Sequence, residues 1–259
     1  MKLKHLVIVM VALFCVGVLT TSGYAKIDPE IVVGIWLFDK GSGKIAEDSS
    51  NNKNDGTFFG DPEWKKGKFD GALEFDGDDR VIVPSSDSIK RTREGLTVVS
   101  WIYPTKAADN GNILEVNANS GWRIRVFNGG PQGNAAFFDR GATNCFAAGI
   151  ATPVNKWLHL AATGSKNGII IYIDGERAGN TNNPYAPDPG SDHLSIGGCN
   201  EFASEYFVGL IDEVGVFNVA LENNDIKSIM EKGLQVTLGM SAVESSGKLT
   251  ASWAVIKTQ

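Results

Sequence analysis

The chain has 259 residues, with 24 basic residues against 30 acidic ones and a formal charge of −6. That balance argues against nucleic acid or an anionic membrane surface as a partner, because both attract basic faces. The length is enough to bury one full sandwich core.

Lys2, Lys4 and His5 open the chain with a short basic stretch, and Leu6 to Leu19 is apolar and uncharged. This run has the length of a signal-peptide core and is short for a bilayer span. Gly23-Tyr24-Ala25 puts small residues at both positions a signal peptidase reads, so cleavage is expected after Ala25. An uncleaved membrane anchor fits these flanks less well. Bulky Phe14 before Cys15 argues against lipid attachment. Cleavage would leave 234 residues, 22 basic and 30 acidic, with a charge of −8. The expected product is secreted or periplasmic, with no later run of membrane length. Cys145 and Cys199 would remain and, in an oxidising compartment, are expected to pair; two buried thiols are the alternative. With no His or Cys cluster around them they make a poor zinc site.

The body reads as short strands divided by Gly, Asn and Asp turns. Ile31–Asp39 alternates, Leu96–Tyr103 ends at Pro104, and Trp122–Asn128 sets Arg123 and Arg125 opposite Trp122, Ile124 and Val126. Trp157–Thr163, Ile169–Ile173 and Glu176–Ala178 follow, with Asp174-Gly175 as a hairpin signal between the last two. His193–Gly197 and Phe207–Asn218 complete the series. Many strands with almost no helical periodicity predict an all-β, antiparallel two-sheet sandwich. One short C-terminal helix is expected, because Leu221, Ile226, Ile229 and Met230 recur at near-helical spacing and Gly233 supplies a stop. The tail, 234–259, has one possible strand at Leu249–Ile256 and no assigned role.

Several segments then form an ordered set. They are G-I-W-L-F-D (Gly34–Asp39), D-S-S-N-N-K-N-D-G (Asp48–Gly56) and G-A-L-E-F-D-G-D-D-R-V-I-V-P (Gly71–Pro84). L-T-V-V-S-W-I-Y-P (Leu96–Pro104), W-L-H-L-A-A-T (Trp157–Thr163), I-Y-I-D-G (Ile171–Gly175) and G-L-I-D-E-V-G-V-F-N-V-A-L (Gly209–Leu221) continue it. Together they resemble the laminin G-like, concanavalin A-like lectin/glucanase domains of secreted bacterial proteins, over roughly residues 30 to 233. The resemblance implies a jelly roll of two sheets with one concave face, spanning 26–233 after a signal peptide at 1–25. It also implies one structural calcium on the convex side, held by Asp39, a backbone carbonyl at Gly71 or its neighbours, and Asp212. The chemistry suits calcium, which takes six to eight oxygen ligands. Asp212 lies in an otherwise apolar strand, and a buried carboxylate needs a cation or hydrogen-bond donors. Hydrogen bonds from the backbone would serve as well.

Catalytic patterns are missing. There is no E-x-D-x-x-E glucanase strand, no Gln-x-His of an alginate lyase beside Arg91-Thr92-Arg93-Glu94, and no nucleophile elbow. Glu213 directly follows Asp212, and on a regular strand the two would face opposite ways. His159 reads as a strand residue beside Trp157, and Asp76-Gly77-Asp78-Asp79 as a solvated turn rather than a metal loop. The expectation is therefore a non-catalytic binding module. Its glycan-contacting candidates are Trp122, Arg123, Arg125, Asn128 and Gln132, then Phe137, Phe138, Asp139 and Arg140, with Tyr185 and the loop to Tyr206. Trp122 reads equally well as core. A protein-binding or matrix-type domain without a sugar site is the alternative, and a hydrolase or lyase a distant third.

Overall fold

A computed structural model describes residues 27–106, 111–116, 121–130, 133–140, 143–147, 153–185, 193–199 and 205–240. At 127–130, 133–140 and 143–147 it describes the backbone alone. The expected signal segment, Gln132 and the strand at 249–256 lie outside the described residues.

The early strands are β1 (Val32–Trp36), β2 (Ile45–Ala46), β3 (Gly56–Phe59), β4 (Glu63–Lys66), β5 (Gly71–Phe75) and β6 (Arg80–Val83). After the short helix α1 (Asp87–Lys90) come β7 (Leu96–Pro104), β8 (Gly111–Val116), β9 (Trp122–Gly130), β10 (Gly133–Arg140) and β11 (Thr143–Ala147). The rest are β12 (Leu158–Ser165), β13 (Gly168–Ile173), β14 (Glu176–Thr181), β15 (Leu194–Ile196) and β16 (Gly209–Phe217), followed by helix α2 (Asn223–Thr237). Among the described residues they form two eight-stranded sheets whose strands pair antiparallel. The first runs β14-β13-β12-β7-β16-β5-β4, with β1 also on β16; the second runs β11-β10-β9-β8-β15-β6-β3-β2. The expected all-β sandwich is the observed architecture.

The main core lies between the sheets. Val98 and Ile102 of β7, Leu160 and Ala162 of β12, and Ile211, Val214 and Val216 of β16 come from the first sheet. Val81 and Val83 of β6, Leu114 and Val116 of β8, and Trp122, Ile124 and Val126 of β9 meet them from the second. The spacing of two is the strand period. The first sheet also buries its outer face. There Val99, Ala161, Tyr172 and Phe217 pack with Ile35 of β1 and with Ile226, Ile229 and Leu234 of α2.

Two elements differ from expectation. β1 stops at Trp36 because Phe38 takes a left-handed φ of 58° and turns the chain. In α2 the expected break at Gly233 is present, at a non-helical φ of 79° and ψ of 163°, but a further helical stretch resumes after the kink and runs to Thr237. That backbone region is almost exclusive to glycine.

One buried carboxylate organises the loop after β1. Asp48 accepts from the amides of Ile35 and Ser50 at 2.8 Å each, and from the Ser50 hydroxyl and Asn54 amide at 2.7 Å each. Asn54 in turn donates from Nδ2 to the Val33 carbonyl and to Ser88 Oγ. Replacing Asp48 with Ala strands these donors in a buried site, and removing a charged acceptor of this kind costs about 3 kcal/mol. Urea unfolding of Asp48→Ala should show a lower midpoint with unchanged slope; an unaltered midpoint would remove the turn from the stability argument.

Candidate functional site

Two regions hold the residues singled out by sequence. On the outer side of the first sheet, β16 breaks its register between Asp212 and Gly215, with Glu213 at φ 53°. The extra residue is a β-bulge, and it re-aims a side chain. Asp212 and Glu213 therefore do not face opposite ways, as a regular strand would have them. Both reach the outer side, where Asp39 acts on both. Asp212 Oδ2 accepts from the amides of Lys68 and Phe69 at 2.8 and 3.0 Å, while its Oδ1 is buried without a hydrogen-bond partner. Glu213 accepts from the amide of Leu234, which the bend at Gly233 presents to it. Asp39 Oδ1 accepts from the Gly71 amide at 2.8 Å.

Backbone oxygens converge on the same place. A Cβ on Gly67 would stand 2.1 Å from the Gly71 carbonyl, 2.5 Å from that of Phe69 and 2.6 Å from Asp212 Oδ2. A Cβ on Gly71 would stand 2.3 Å from the Phe38 carbonyl. Both glycines are required by these approaches. Burial pushes the Asp212 carboxyl up to about 8, with Glu213 and Asp39 adding repulsion against the stabilising amides. Burial likewise raises Glu213 to about 7. Asp39 is raised by burial and by neighbouring Asp70. An all-oxygen donor set, crowded with negative charge and holding one orphaned buried oxygen, fits a hard cation. Sequence reasoning named Asp39, Gly71 and Asp212, and the fold brings all three together. It missed Glu213, because a bulge has no reliable signature in a single sequence, and Asp70, which lies in the turn before β5.

Beside this cluster Lys68 Nζ lies 4.2 Å over the Trp101 ring, and Trp101 packs edge-on against His159 at 5.2 Å. His159 is fully buried with both ring nitrogens unpartnered, and burial, with Lys68 nearby, lowers it to about 3. It is a neutral packing residue, held against Trp101 rather than Trp157; Trp157 stacks with Tyr103 instead.

The second region is the outer face of the second sheet. Arg123 and Arg125, which alternate with the core side of β9, both grip Glu205, at 2.9 and 3.2 Å. Arg80 of β6 donates to the Tyr206 hydroxyl at 2.7 Å and to the Cys199 carbonyl at 3.4 Å. Its guanidinium also lies 4.1 Å over the ring of Phe59, which is 53% exposed. The middle of the face is closed: Glu115 and Ser195 are fully buried, and Asn112 Nδ2 donates to Glu115 at 2.7 Å. Phe59, Arg80 and Glu205 were missed by sequence reasoning, since each lies on a short strand or at a loop end without a pattern of its own.

Two expected ligand contacts are core residues instead. Trp122 is 1% exposed and donates from Nε1 to Thr92 Oγ1 at 3.1 Å. Tyr185 is 3% exposed and its hydroxyl donates to the Thr92 carbonyl at 2.9 Å. Each uses its polar tip to tie down the segment after α1, the usual habit of buried Trp and Tyr. Asn128 is on β9, Phe137, Phe138, Asp139 and Arg140 are on β10, and their side chains lie outside the described residues. So does the side chain of Cys145, on β11; its expected partner Cys199 is buried, with Sγ near the carboxylates of Glu115 and Glu205. The Asp76–Asp79 stretch is a turn built on Asp79, which is buried and accepts from the amides of Asp61 and Asp76 at 2.8 and 3.1 Å.

No curated protein sequence matches the chain. Among solved structures it resembles domain 4 of AbnA, a GH43 extracellular arabinanase from Geobacillus stearothermophilus in complex with arabinotriose. The TM-score is 0.62 at 19% identity, covering 77% of this chain and 98% of that one. It also resembles the binding domain of Paraclostridial Mosquitocidal Protein 1, at a TM-score of 0.61 and 13% identity over 78% of this chain. The binding domain of botulinum neurotoxin DC matches both in complex with SialylT, at 0.59 and 17%, and with rat synaptotagmin II, at 0.59 and 16%, each over 78% of this chain. This chain spans 52% of each of these toxin chains. Identities at this level speak for the fold alone. A family model described as the concanavalin A-like lectin/glucanases superfamily matches residues 75–227, more than half of the sequence. The two-sheet sandwich and this match together place the chain in the laminin G-like family of the concanavalin A-like lectin/glucanase superfamily.

Proposed function

We propose that this protein is a secreted, non-catalytic module that recognises a glycan on the outer face of its second sheet, with a structural calcium beneath the first. One observation carries the reading: the exposed Phe59 ring stacks on Arg80, which is bonded to Tyr206, on the same face as the Arg123–Glu205–Arg125 group. An exposed ring beside fixed polar forks is the chemistry that grips sugars, by stacking on the apolar ring face and bonding the hydroxyls. That two fold relatives are in complex with arabinotriose and SialylT supports it. The buried carboxylates of β16 support a non-catalytic role. Asp212 and Glu213 are 0% and 4% exposed and bound to backbone amides, so neither reaches a glycosidic bond.

In this reading calcium is held by Asp39, Asp212 and carbonyls around Gly71, and it would join β16 to the turn before β5. It supplies positive charge to oxygens that are otherwise stabilised only by protons and amides. Export rests on the Leu6–Leu19 run, and N-terminal sequencing of exported protein should begin at Lys26; retention of residues 1–25 would contradict it.

Polysaccharide affinity electrophoresis tests the binding face. Phe59→Ala should weaken retention roughly tenfold, the loss of one stacking contact, and Tyr206→Phe should weaken it less. If no polysaccharide is retained, with or without calcium, the glycan reading fails in favour of a protein partner, as for the relative in complex with synaptotagmin II. Release of reducing ends or unsaturated products would overturn the non-catalytic reading.

The metal has a pH signature. Asp212 and Glu213 titrate in the fold at about 8 and about 7, above their ordinary 3.8 and 4.5, so the metal-free fold holds protons that the unfolded chain has released. The stability these two groups contribute is full below their ordinary values and is lost as pH rises through about 7 and 8. In chelator the melting temperature should fall from pH 5 to pH 8. Calcium should restore it most at pH 8, where it replaces those protons. A chelator profile flat across this range, or no calcium shift at pH 8, would count against the site.

A further inference from the structure

Between the 48–55 turn and the segment that begins at Ser86 lies an open cleft of about 420 Å³, lined by Asn52, Asn54, Ser86, Asp87, Ser88 and Arg91. Its back wall is fixed. Asn54 Nδ2 donates to the Val33 carbonyl and to Ser88 Oγ, both at 2.8 Å, and Asn52 Nδ2 donates to the Val32 carbonyl at 2.8 Å. The Ser86 and Ser88 hydroxyls are 2.9 Å apart. From below, the core residues Trp122 and Tyr185 both hold Thr92, next to Arg91. The front is open. The Asp87 carboxylate is fully exposed and meets Lys90 at 3.3 Å. Arg91, exposed on the cleft's lining, makes one long side-chain bond, from Nη2 to Asn52 Oδ1 at 3.5 Å.

The charge pattern selects the ligand. An anion would meet Asp87, and a cation would meet Arg91. A neutral polyol satisfies both, since the carboxylate accepts from hydroxyls, the guanidinium donates to them, and the Asn52 and Asn54 side-chain oxygens, whose Nδ2 groups are already bonded to the protein, accept as well. The volume lies within the range of small-molecule sites. We infer that this cleft is a second sugar site, taking a neutral mono- or disaccharide through hydrogen bonds without ring stacking. It shares no residue with the Phe59–Arg80–Tyr206 group and does not depend on that face binding glycan.

Amide NMR of the mature chain, titrated with arabinotriose, cellobiose, galacturonate and glucosamine, tests it. The two neutral sugars should produce saturable shifts at Asn52, Asn54 and Ser88. Asp87→Ala and Arg91→Ala, both at exposed positions, should each weaken this response at least fivefold with the melting temperature unchanged, while Phe59→Ala should leave it intact. A response to galacturonate or glucosamine alone, abolished by salt, would overturn the inference in favour of a simple charge site. Silence at these amides while Phe59-dependent polysaccharide retention persists would overturn it and leave the proposed function standing.

Discussion

The architecture turns on the burial of two adjacent carboxylates in β16. Asp212 and Glu213 are almost wholly removed from water, and ionised groups in that position must be met by donors or by a cation. The bulge at Glu213 sends both to one side of the sheet. Everything beyond that side is shaped to receive them: the turn before β5 offers the Lys68 and Phe69 amides, and the bend in α2 offers that of Leu234. Gly67, Gly71 and Gly233 are glycines because a Cβ at each would press on these oxygens or deny the required backbone. The acids thus tie two other parts of the chain, the turn before β5 and the bend in α2, to β16 of the first sheet.

This arrangement divides the labour of the two sheets. On the first sheet, α2 and β1 cover one part of the outer face. The second leaves its outer face polar and aromatic, with Phe59 and Arg80 toward one side and the Arg123–Arg125 pair toward the other. Trp122 and Tyr185 do their work inside the core. Their polar tips converge on Thr92 and set the position of the segment that carries Asp87 and Arg91.

The sandwich was legible because strand alternation and turn residues report burial directly. β7, β9, β12, β13 and β16 all lie where alternation or apolar runs put them. The strands β2 to β6, β8, β10 and β11 were not singled out: most are short or mix polar with apolar residues, so alternation alone does not mark them. Asp39, Gly71 and Asp212 could be named together because the resemblance supplied a long-range relation that local pattern does not contain. Trp122 shows one limit of strand alternation. Alternation says which residues share a face but not which face is covered, so Trp122 looked as fit for a ligand as for the core. The Asp212–Glu213 pair failed for the converse reason, since one inserted residue overrides the period of two.

The three-residue strand β15 has an outsized place in the second sheet. Among the described residues Leu194–Ile196 is the strand that joins β8 to β6, so it unites β8–β11 on one side with β2, β3 and β6 on the other. All seven of those strands precede it in the chain. During synthesis the sheet must therefore wait as two unjoined halves, each with an open edge beside the gap, until residue 196 has left the ribosome. Closure then comes late and through contacts of long sequence separation, the class that folds slowly and exposes edges to mispairing.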